Sequence, residues 1–212
     1  MEVDSVKGFQ DFLPPDSLKR AVVREVIEKW FRAYGFLPIE TPIVEFDALM
    51  RGDDTENPDE VISDRFRLQD RGGRQLGLRY EFTFQLARIF RQNPNIKLPF
   101  RRYQIGEVFR DEPTGQGRFR KFTQSDEDII CESSTKADGE CILLFSDILK
   151  ELKIEAEIQV NNRKLLSAII ESVQIENKEE IMRELDKKEK IGIDELKINL
   201  KKYASPNQII TL

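Results

Sequence analysis

Histidine is absent from this sequence of 212 residues, and cysteine occurs only twice. Without histidine there can be no histidine-containing catalytic triad, no zinc site of the Cys₂His₂ type and no histidine general base. Cys131 and Cys141 are too few for an all-cysteine zinc site or a disulfide framework. We therefore expect no metal site built from protein ligands, and a chemistry of arginine, lysine, carboxylates and amides that binds and aligns anions.

Long apolar runs are also missing, since no stretch approaches the roughly 20 apolar residues that span a membrane. The chain has 34 Lys and Arg against 39 Asp and Glu, a formal charge of −5, and 39% hydrophobic residues. This composition is typical of a globular protein, and the acidic balance argues against a general binder of polyanions. Residues 1–4 read Met-Glu-Val-Asp, unlike the basic start of a secretory signal. We expect a cytoplasmic protein.

The first predicted element is a helix with Asp16 as its N-cap, extending to about Tyr34 and ended by Gly35. An extended segment over 36–44 contains two prolines, so we expect it at a sheet edge or interrupted there. This helix and edge strand fit either an association surface or a capped surface helix without a partner. The helix repeats apolar residues on one stripe that we expect to face a core, namely Leu18, Val22, Val23, Val26, Ile27, Trp30 and Phe31.

The rest of the chain mixes strand and helix patterns, so we expect the α+β class. Residues 51–63 are acidic and predict a solvated loop. The further predictions are a hairpin over 66–79, a helix over 83–92, strands over 100–110 and 119–130, a helix over 136–152 and a short strand over 156–160. We place a domain boundary at 160/161, because 161–212 predicts a small helical appendage with helices over 163–173, 178–190 and 193–203.

The most informative stretch is 100–130, because alternation gives one face of its second strand a graded set of side chains. Cations lie near the turn, an aromatic ring in the middle, and an amide and carboxylates beyond: Arg118, Arg120, Phe122, Gln124, Asp126 and Asp128. Arg110 adds a guanidinium from across the turn. Such a face suits phosphates at the turn, a base stacked on Phe122 and a cationic group near Asp128. A solvent-facing sheet shows the same spacing, so both interpretations remain open.

A second patch, Leu78-Arg79-Tyr80-Glu81-Phe82-Thr83, predicts a turn from strand into helix. The carboxylate of Glu81 and the hydroxyl of Thr83 can hold an amino group at such a turn. They can equally form a capping pair for the helix.

At these residues the chain resembles the class II aminoacyl-tRNA synthetases, and among them the histidyl-tRNA synthetases. The opening Lys7-Gly8-x-x-Asp11-x-x-Pro14 is similar to the family's entry segment, and 17–44, ending near Pro42, to the dimer-forming motif 1. The Leu78-Arg79-x-Glu81-x-Thr83 passage is similar to the family's histidine-binding segment. Motif 2 is matched by Phe109-Arg110-x-Glu112, then Gly117-Arg118-Phe119-Arg120-x-Phe122-x-Gln124, then Asp128.

The resemblance implies a class II synthetase-like antiparallel sheet flanked by helices, with residues 1–160 as the catalytic core and 161–212 as the start of an inserted helical domain. It also implies roles for single residues. Arg110 would be catalytic, holding the α-phosphate of ATP and the amino-acid carboxylate. Glu112, Arg118 and Phe122 would bind the adenine end, the outer phosphates and the adenine ring. The histidine substrate would be held by Glu81, Thr83, Gln124 and Asp128.

The implied reaction is activation of L-histidine by ATP and Mg²⁺ to histidyl-adenylate, followed by transfer to tRNA(His) in a homodimer formed through 17–44. Motif 3 and the Arg-Gly-x-Asp-Tyr-Tyr segment of the histidyl enzymes have no counterpart. After Gln124 the only arginines are Arg163 and Arg183, and the only glycines are Gly139 and Gly192. We therefore expect a truncated or split synthetase, either a fragment of a longer enzyme or a natural half that assembles with a complementary C-terminal half. The alternative is a non-catalytic relative, of which the regulatory subunit of ATP phosphoribosyltransferase is the precedent.

Overall fold

A computed structural model describes residues 3–51 and 64–211, and the chain divides into two compact units, Met1–Ala156 and Glu157–Leu212. The loop expected over 51–63 lies, beyond Arg51, outside the described residues. Within the described part of the chain, no helix is long and apolar enough to cross a membrane. The fold is α+β, as expected.

Helix α1 (Asp16–Ala33) confirms the first predicted helix but corrects its start. Pro15 occupies the N-cap position with helical angles, φ −86° and ψ −9°, so Asp16 is the first helical residue and not the cap. The fixed φ of proline suits the start of a helix, and no capping side chain is needed to set it. Gly35 follows with φ +79° and ends the helix as predicted.

The apolar stripe of α1 faces the core only in the second half of the helix. Phe31 is buried, and Ile27 and Trp30 pack around it, whereas Leu18 and Val22 are 63% and 56% exposed. The expectation that the whole stripe faces a core is therefore wrong for the first half. The reason is the extent of the cluster that receives it, which consists of Phe31, Phe36, Tyr103, Leu144 and Ile148.

Within residues 3–51 and 64–156, the first unit forms two three-stranded sheets. The first has the order β1 (Leu37–Pro38), β5 (Phe100–Phe109), β6 (Lys121–Ile130), with β1 parallel to β5 and β5 antiparallel to β6. The second has the order β2 (Val44–Phe46), β4 (Gln75–Leu78), β3 (Arg67–Gln69), all antiparallel. The proline-containing segment therefore forms a two-residue edge strand, which confirms its expected place.

Three further helices belong to this unit: α2 (Asp47–Arg51), α3 (Thr83–Gln92) and α4 (Thr135–Glu151). Helices α1 and α4 cover one face of the first sheet, where the Phe31 and Tyr103 ring centroids are 5.0 Å apart and Leu144 is fully buried. The strand expected over 156–160 is wrong, because 154–162 forms neither helix nor strand. Its apolar alternation finds no partner strand, and a strand needs one to satisfy its backbone.

The second unit is helical, as expected, with α5 (Arg163–Ser172), α6 (Lys178–Leu185), α7 (Lys188–Leu200) and a short α8 (Pro206–Thr211) that the pattern did not predict. Asn162 caps α5 by accepting the Lys164 N–H at 2.9 Å. Gly192 interrupts α7 with φ +78°. The helix predicted over 178–190 is divided between α6 and α7, because α6 ends at Leu185 and α7 begins at Lys188. The core of the second unit contains Ile170, Ile181, Leu196 and Leu200.

Candidate active site

The β5–β6 hairpin carries a row of mainly polar side chains on the face away from α1 and α4. The register pairs Phe122, Gln124, Asp126 and Asp128 of β6 with Val108, Gly106, Gln104 and Arg102 of β5, and directly opposed residues share a face. Gln124 Nε2 donates to Asp126 Oδ2 at 2.8 Å, as two residues on one face must do. We call this row the polar face. It confirms the alternation predicted for β6.

Arg110, which follows β5 directly, is held between two aromatic rings. Its guanidinium carbon lies 4.5 Å from the Tyr80 ring centroid and 5.0 Å from that of Phe122. Its Nη2 donates to Gln124 Oε1 at 3.4 Å, and its backbone N–H donates to the Arg120 carbonyl at 2.8 Å. A cation within about 6 Å of an aromatic centroid is attracted to the ring. The guanidinium is therefore positioned before any ligand binds.

Glu112 and Arg118 form an ion pair beside this arginine. Arg118 Nε donates to Glu112 Oε2 at 2.8 Å, and the Tyr80 hydroxyl donates to Glu112 Oε1 at 3.3 Å. The hydrogen bond from Arg118 holds the pKa of Glu112 below its usual value, which keeps the carboxylate ionised. The Arg118 side chain is 65% exposed, so an anion can reach it.

Arg118 and Arg120 do not lie on a strand, contrary to the prediction, because β6 begins only at Lys121. Arg120 leaves the polar face altogether: its Nε donates to the Glu112 carbonyl at 3.1 Å and its Nη1 lies 3.3 Å from Asp111 Oδ1. Its methylenes pack on Gly8, where φ is +85° and a Cβ would lie 2.7 Å from Arg120 Cγ. The entry segment therefore packs against the turn of the hairpin, and Arg120 stabilises this turn and does not lie on the polar face.

The segment from Leu78 to Thr83 is anchored by Arg79, which is buried. Arg79 Nε donates to the Glu107 carbonyl at 2.6 Å and Nη1 donates to the Thr41 carbonyl at 2.9 Å. These bonds join the second sheet to β5. Arg79 therefore fixes the segment against the hairpin.

Glu81 accepts the Phe84 N–H at 3.0 Å and so caps α3, which supports the capping interpretation for this carboxylate. Thr83 is exposed at the first position of the helix. Among the described residues, no hydrogen bond or ion pair joins either of them to Gln124 or Asp128. The structure brings this segment to the site through Tyr80, which touches both Arg110 and Glu112.

Two residues of the site had not been identified from the sequence, Tyr80 and Arg102. Tyr80 holds Arg110 and Glu112, yet a single aromatic residue before a helix carries no local signal of that role. Arg102 is completely buried and contacts Asp128. Alternation along β5 gives it the same face as Gln104. The sequence signal that could have identified Arg102 is a charged residue within a strand, at a position where the side chain is expected to be buried.

A family model described as histidyl-tRNA synthetase matches residues 8–211. This chain belongs to the histidyl-tRNA synthetase family. The match covers both units, so the helical appendage belongs to the same family pattern as the sheet that carries the polar face. The resemblance drawn from residues 7–128 is thereby confirmed at the level of the family.

Relatives in this family span about twice the length of the chain. A histidine–tRNA ligase 1 of Bacillus cereus is 43% identical over 196 residues, which are 92% of this chain and 45% of that protein. A histidine–tRNA ligase 2 of Shouchella clausii is 35% identical over 212 residues, 99% of this chain and 50% of that protein. The chain therefore spans about half the length of the histidyl-tRNA synthetases it matches.

Solved structures show the same fold. A histidyl-tRNA synthetase from Nostoc sp. PCC 7120 superposes with a TM-score of 0.84 and 28% identity over 99% of this chain and 47% of that one. A Bacillus halodurans C protein described as an ATP phosphoribosyltransferase regulatory subunit/histidyl-tRNA synthetase gives a TM-score of 0.78 over 98% of this chain and 53% of that one. Its 19% identity shows the fold alone.

Proposed function

We propose that this chain supplies the histidine-activating part of a truncated or split class II histidyl-tRNA synthetase. The reaction joins L-histidine to ATP, which arrives with Mg²⁺ on its phosphates, and gives histidyl-adenylate for transfer to tRNA(His). The cytoplasm, where protein synthesis takes place, is the location that this function implies. The observation that carries the proposal is the guanidinium of Arg110, fixed between the rings of Tyr80 and Phe122 and beside Gln124.

Activation needs alignment and charge neutralisation. A carboxylate oxygen of histidine attacks the α-phosphorus of ATP, the bond from that phosphorus to the bridging oxygen of the β-phosphate breaks, and pyrophosphate leaves. The carboxylate is already a nucleophile, so no protein base takes part. Arg110 would bind the two anions as they meet, because forked guanidinium donors match carboxylate and phosphate oxygens. Since Arg110 is already held in place, little reorganisation is needed in the transition state.

The other nucleotide contacts follow from the neighbours of Arg110. Phe122 would stack on the adenine. Arg118 would bind the outer phosphates, and its exposed guanidinium can turn from Glu112 toward them at little energetic cost. Glu112, fixed by the Tyr80 hydroxyl, would accept hydrogen bonds from the adenine end.

Histidine would lie along the inner part of the polar face. Gln124 would hold its amino group and Asp128, 33% exposed, would accept the imidazole N–H. Glu81 would add a carboxylate for the amino group, because its cap of α3 uses only one oxygen. Thr83, exposed beside it, would supply a hydroxyl.

A homodimer through 17–44 completes the proposal. The supporting observation is a run of exposed apolar side chains on α1 and the segments after it, which monomeric proteins seldom present together. The most exposed are Leu18, Val22, Leu37, Ile43 and Val44. Sedimentation at micromolar concentration should give a dimer, and Val22→Asp should give monomers while the exposed control Glu25→Gln stays dimeric. A monomeric parent chain would remove the dimer from the proposal.

ATP–pyrophosphate exchange, measured with each amino acid in turn, tests the activity. We expect exchange with histidine alone. The same assay with a polypeptide covering the other half of the Bacillus cereus relative asks whether a complementary C-terminal half is needed. Exchange only in the mixture supports a split enzyme, and exchange by the chain alone supports a self-sufficient one. Absence of exchange in both arms contradicts the activation proposal.

The second candidate is a non-catalytic, histidyl-synthetase-like regulatory protein. The fold shared with the Bacillus halodurans protein favours it. A regulator that only senses histidine has no need of Arg110, Glu112 and Arg118 grouped at one end of the hairpin, so the site favours the synthetase. Binding of histidine or ATP by calorimetry without exchange would favour the regulator.

A further inference from the structure

Arg102 is the third residue of β5, and its side chain is completely buried. Directly across the pair is Asp128, and Arg102 Nη2 contacts Asp128 Oδ2. None of the three guanidinium nitrogens of Arg102 makes a hydrogen bond within residues 3–51 and 64–211, and neither does Oδ2 of Asp128, so the two side chains meet as an ion pair. Buried donors without hydrogen bonds are costly, so the guanidinium depends on the opposite charge of Asp128.

The surroundings leave Arg102 one strong partner. Gln104, next on the same face, donates its amide to Thr41 Oγ1 at 3.0 Å, and Asp126 accepts the amide of Gln124 at 2.8 Å. Burial raises the pKa of Asp126, although the charge of Arg102 lowers it, and no ion pair joins the two side chains within the described residues. Glu127 belongs to the opposite face of β6 by alternation. Asp128 is therefore the carboxylate that compensates Arg102.

The pairing also orients Asp128. Its Oδ2 is buried against Arg102, while the side chain as a whole keeps 33% exposure. The accessible side of the carboxylate is then that of Oδ1, which faces outward from the polar face. Loss of Arg102 would leave the carboxylate free to rotate and would leave its negative charge uncompensated.

We propose that Arg102 is a positioning residue for the histidine side chain, acting through Asp128. It holds Oδ2 so that Oδ1 accepts the imidazole N–H, and its positive charge offsets the carboxylate. A pocket balanced in this way suits a neutral imidazole better than the cationic side chain of lysine or arginine. The inference rests on the proposed function, because it deepens the role given to Asp128.

The test compares four variants of the full chain, Arg102→Met, Arg102→Lys, Asp128→Asn and the double variant Arg102→Met/Asp128→Asn. Calorimetry measures the dissociation constants for histidine and for ATP. We expect Arg102→Met to weaken histidine binding about tenfold or more and ATP binding less than twofold, with Arg102→Lys in between. The double variant should bind histidine as Asp128→Asn does, because residues that act through one another give non-additive losses.

Equal losses of histidine and ATP affinity in Arg102→Met would overturn the inference, as would a double variant that loses the full factors of both single changes. Thermal melting guards against a folding defect. Asp128→Asn leaves the completely buried Arg102 uncompensated and should melt lowest, whereas Arg102→Met leaves only the partly exposed Asp128 unpaired. The double variant should recover part of the loss. If Arg102→Met does not fold, the comparison of Asp128→Asn with the double variant still decides the case.

The melting cycle also separates this inference from the proposed function. A parent chain that binds no histidine would contradict the function, but coupled melting losses would still show that Arg102 fixes Asp128. Additive melting losses would overturn the pair itself, whether or not histidine binds.

Discussion

The two faces of the β5–β6 hairpin come from the same strands and have opposite characters. On the face toward α1 and α4, Tyr103 packs on Phe31 and joins a cluster with Leu144. On the polar face, the buried side chains of β5 are those of Arg102 and Gln104, which alternate with Tyr103 along the strand. One face buries carbon against carbon, and the other buries charge and amide groups.

The difference separates stability from function within one hairpin. Burial of a large apolar side chain contributes about 1.5–3 kcal/mol, whereas a buried ion pair adds little net stability because both charges lose their hydration. The face toward the helices therefore holds the hairpin together. The polar face persists for another reason, and its residues are those that the family resemblance places around histidine and ATP.

Phe31→Ala should give the largest effect and should act on stability alone. It removes a side chain that is 1% exposed from the centre of the apolar face, so urea unfolding should show a loss of about 3–5 kcal/mol. Phe46→Ala is the matched control, since Phe46 is 55% exposed and should lose much less. Ligand affinity per folded molecule should not change. A loss below about 1 kcal/mol would show that the cluster is not the main core of the first unit.

Arg110→Ala should do the reverse, with a large effect on exchange and a small one on stability. Removing a preorganised charge from the reacting groups should lower ATP–pyrophosphate exchange on the order of 10²–10³-fold. The melting temperature should stay near that of the parent, because Arg110 is half-buried and its bonds to Gln124 and Tyr80 are long. Arg67→Ala, an exposed arginine on β3, is the control. Unchanged exchange in Arg110→Ala would remove this residue from its role.

Sequence periodicity predicted the part of this contrast that depends on neighbours along the chain. Alternation of two in β6 predicted one face for Phe122, Gln124, Asp126 and Asp128, and the register confirms it. The turn residues correctly separated the two strands. Alternation failed for Arg120, because the strand begins after it and a turn has no such period.

The remaining features depend on contacts that local pattern does not encode. Tyr80 reaches Arg110 across 30 residues of chain, and Arg102 meets Asp128 only through strand pairing. The sequence also did not show how much of the apolar stripe of α1 is buried. A helical period shows that one face is apolar, but it does not show which residues pack against that face. Residues 156–160 alternate like a strand but find no partner, so propensity alone gave the wrong element there.

The smallest expected effect comes from Glu127, and it tests the contrast between the two hairpin faces directly. Glu127 is a carboxylate on the face toward α1 and α4, where the other buried side chains are apolar. Alternation places it on the side of Tyr103, its register partner, toward α1 and α4. Burial there, with Asp128 and Asp126 as neighbours, raises the pKa of Glu127 to about 7 from a usual 4.5. The folded chain thus keeps a proton that the unfolded chain releases at lower pH.

Stability should therefore fall as pH rises from about 4.5 through about 7, since in that window the folded state binds more protons than the unfolded state. Glu127→Gln should flatten the fall in melting temperature between pH 5 and pH 8. The contribution of Asp126, whose pKa burial also raises, has the same sign and should not change in this variant. If the melting temperature depends on pH in the same way in parent and variant, Glu127 is hydrated and does not belong to the buried apolar face.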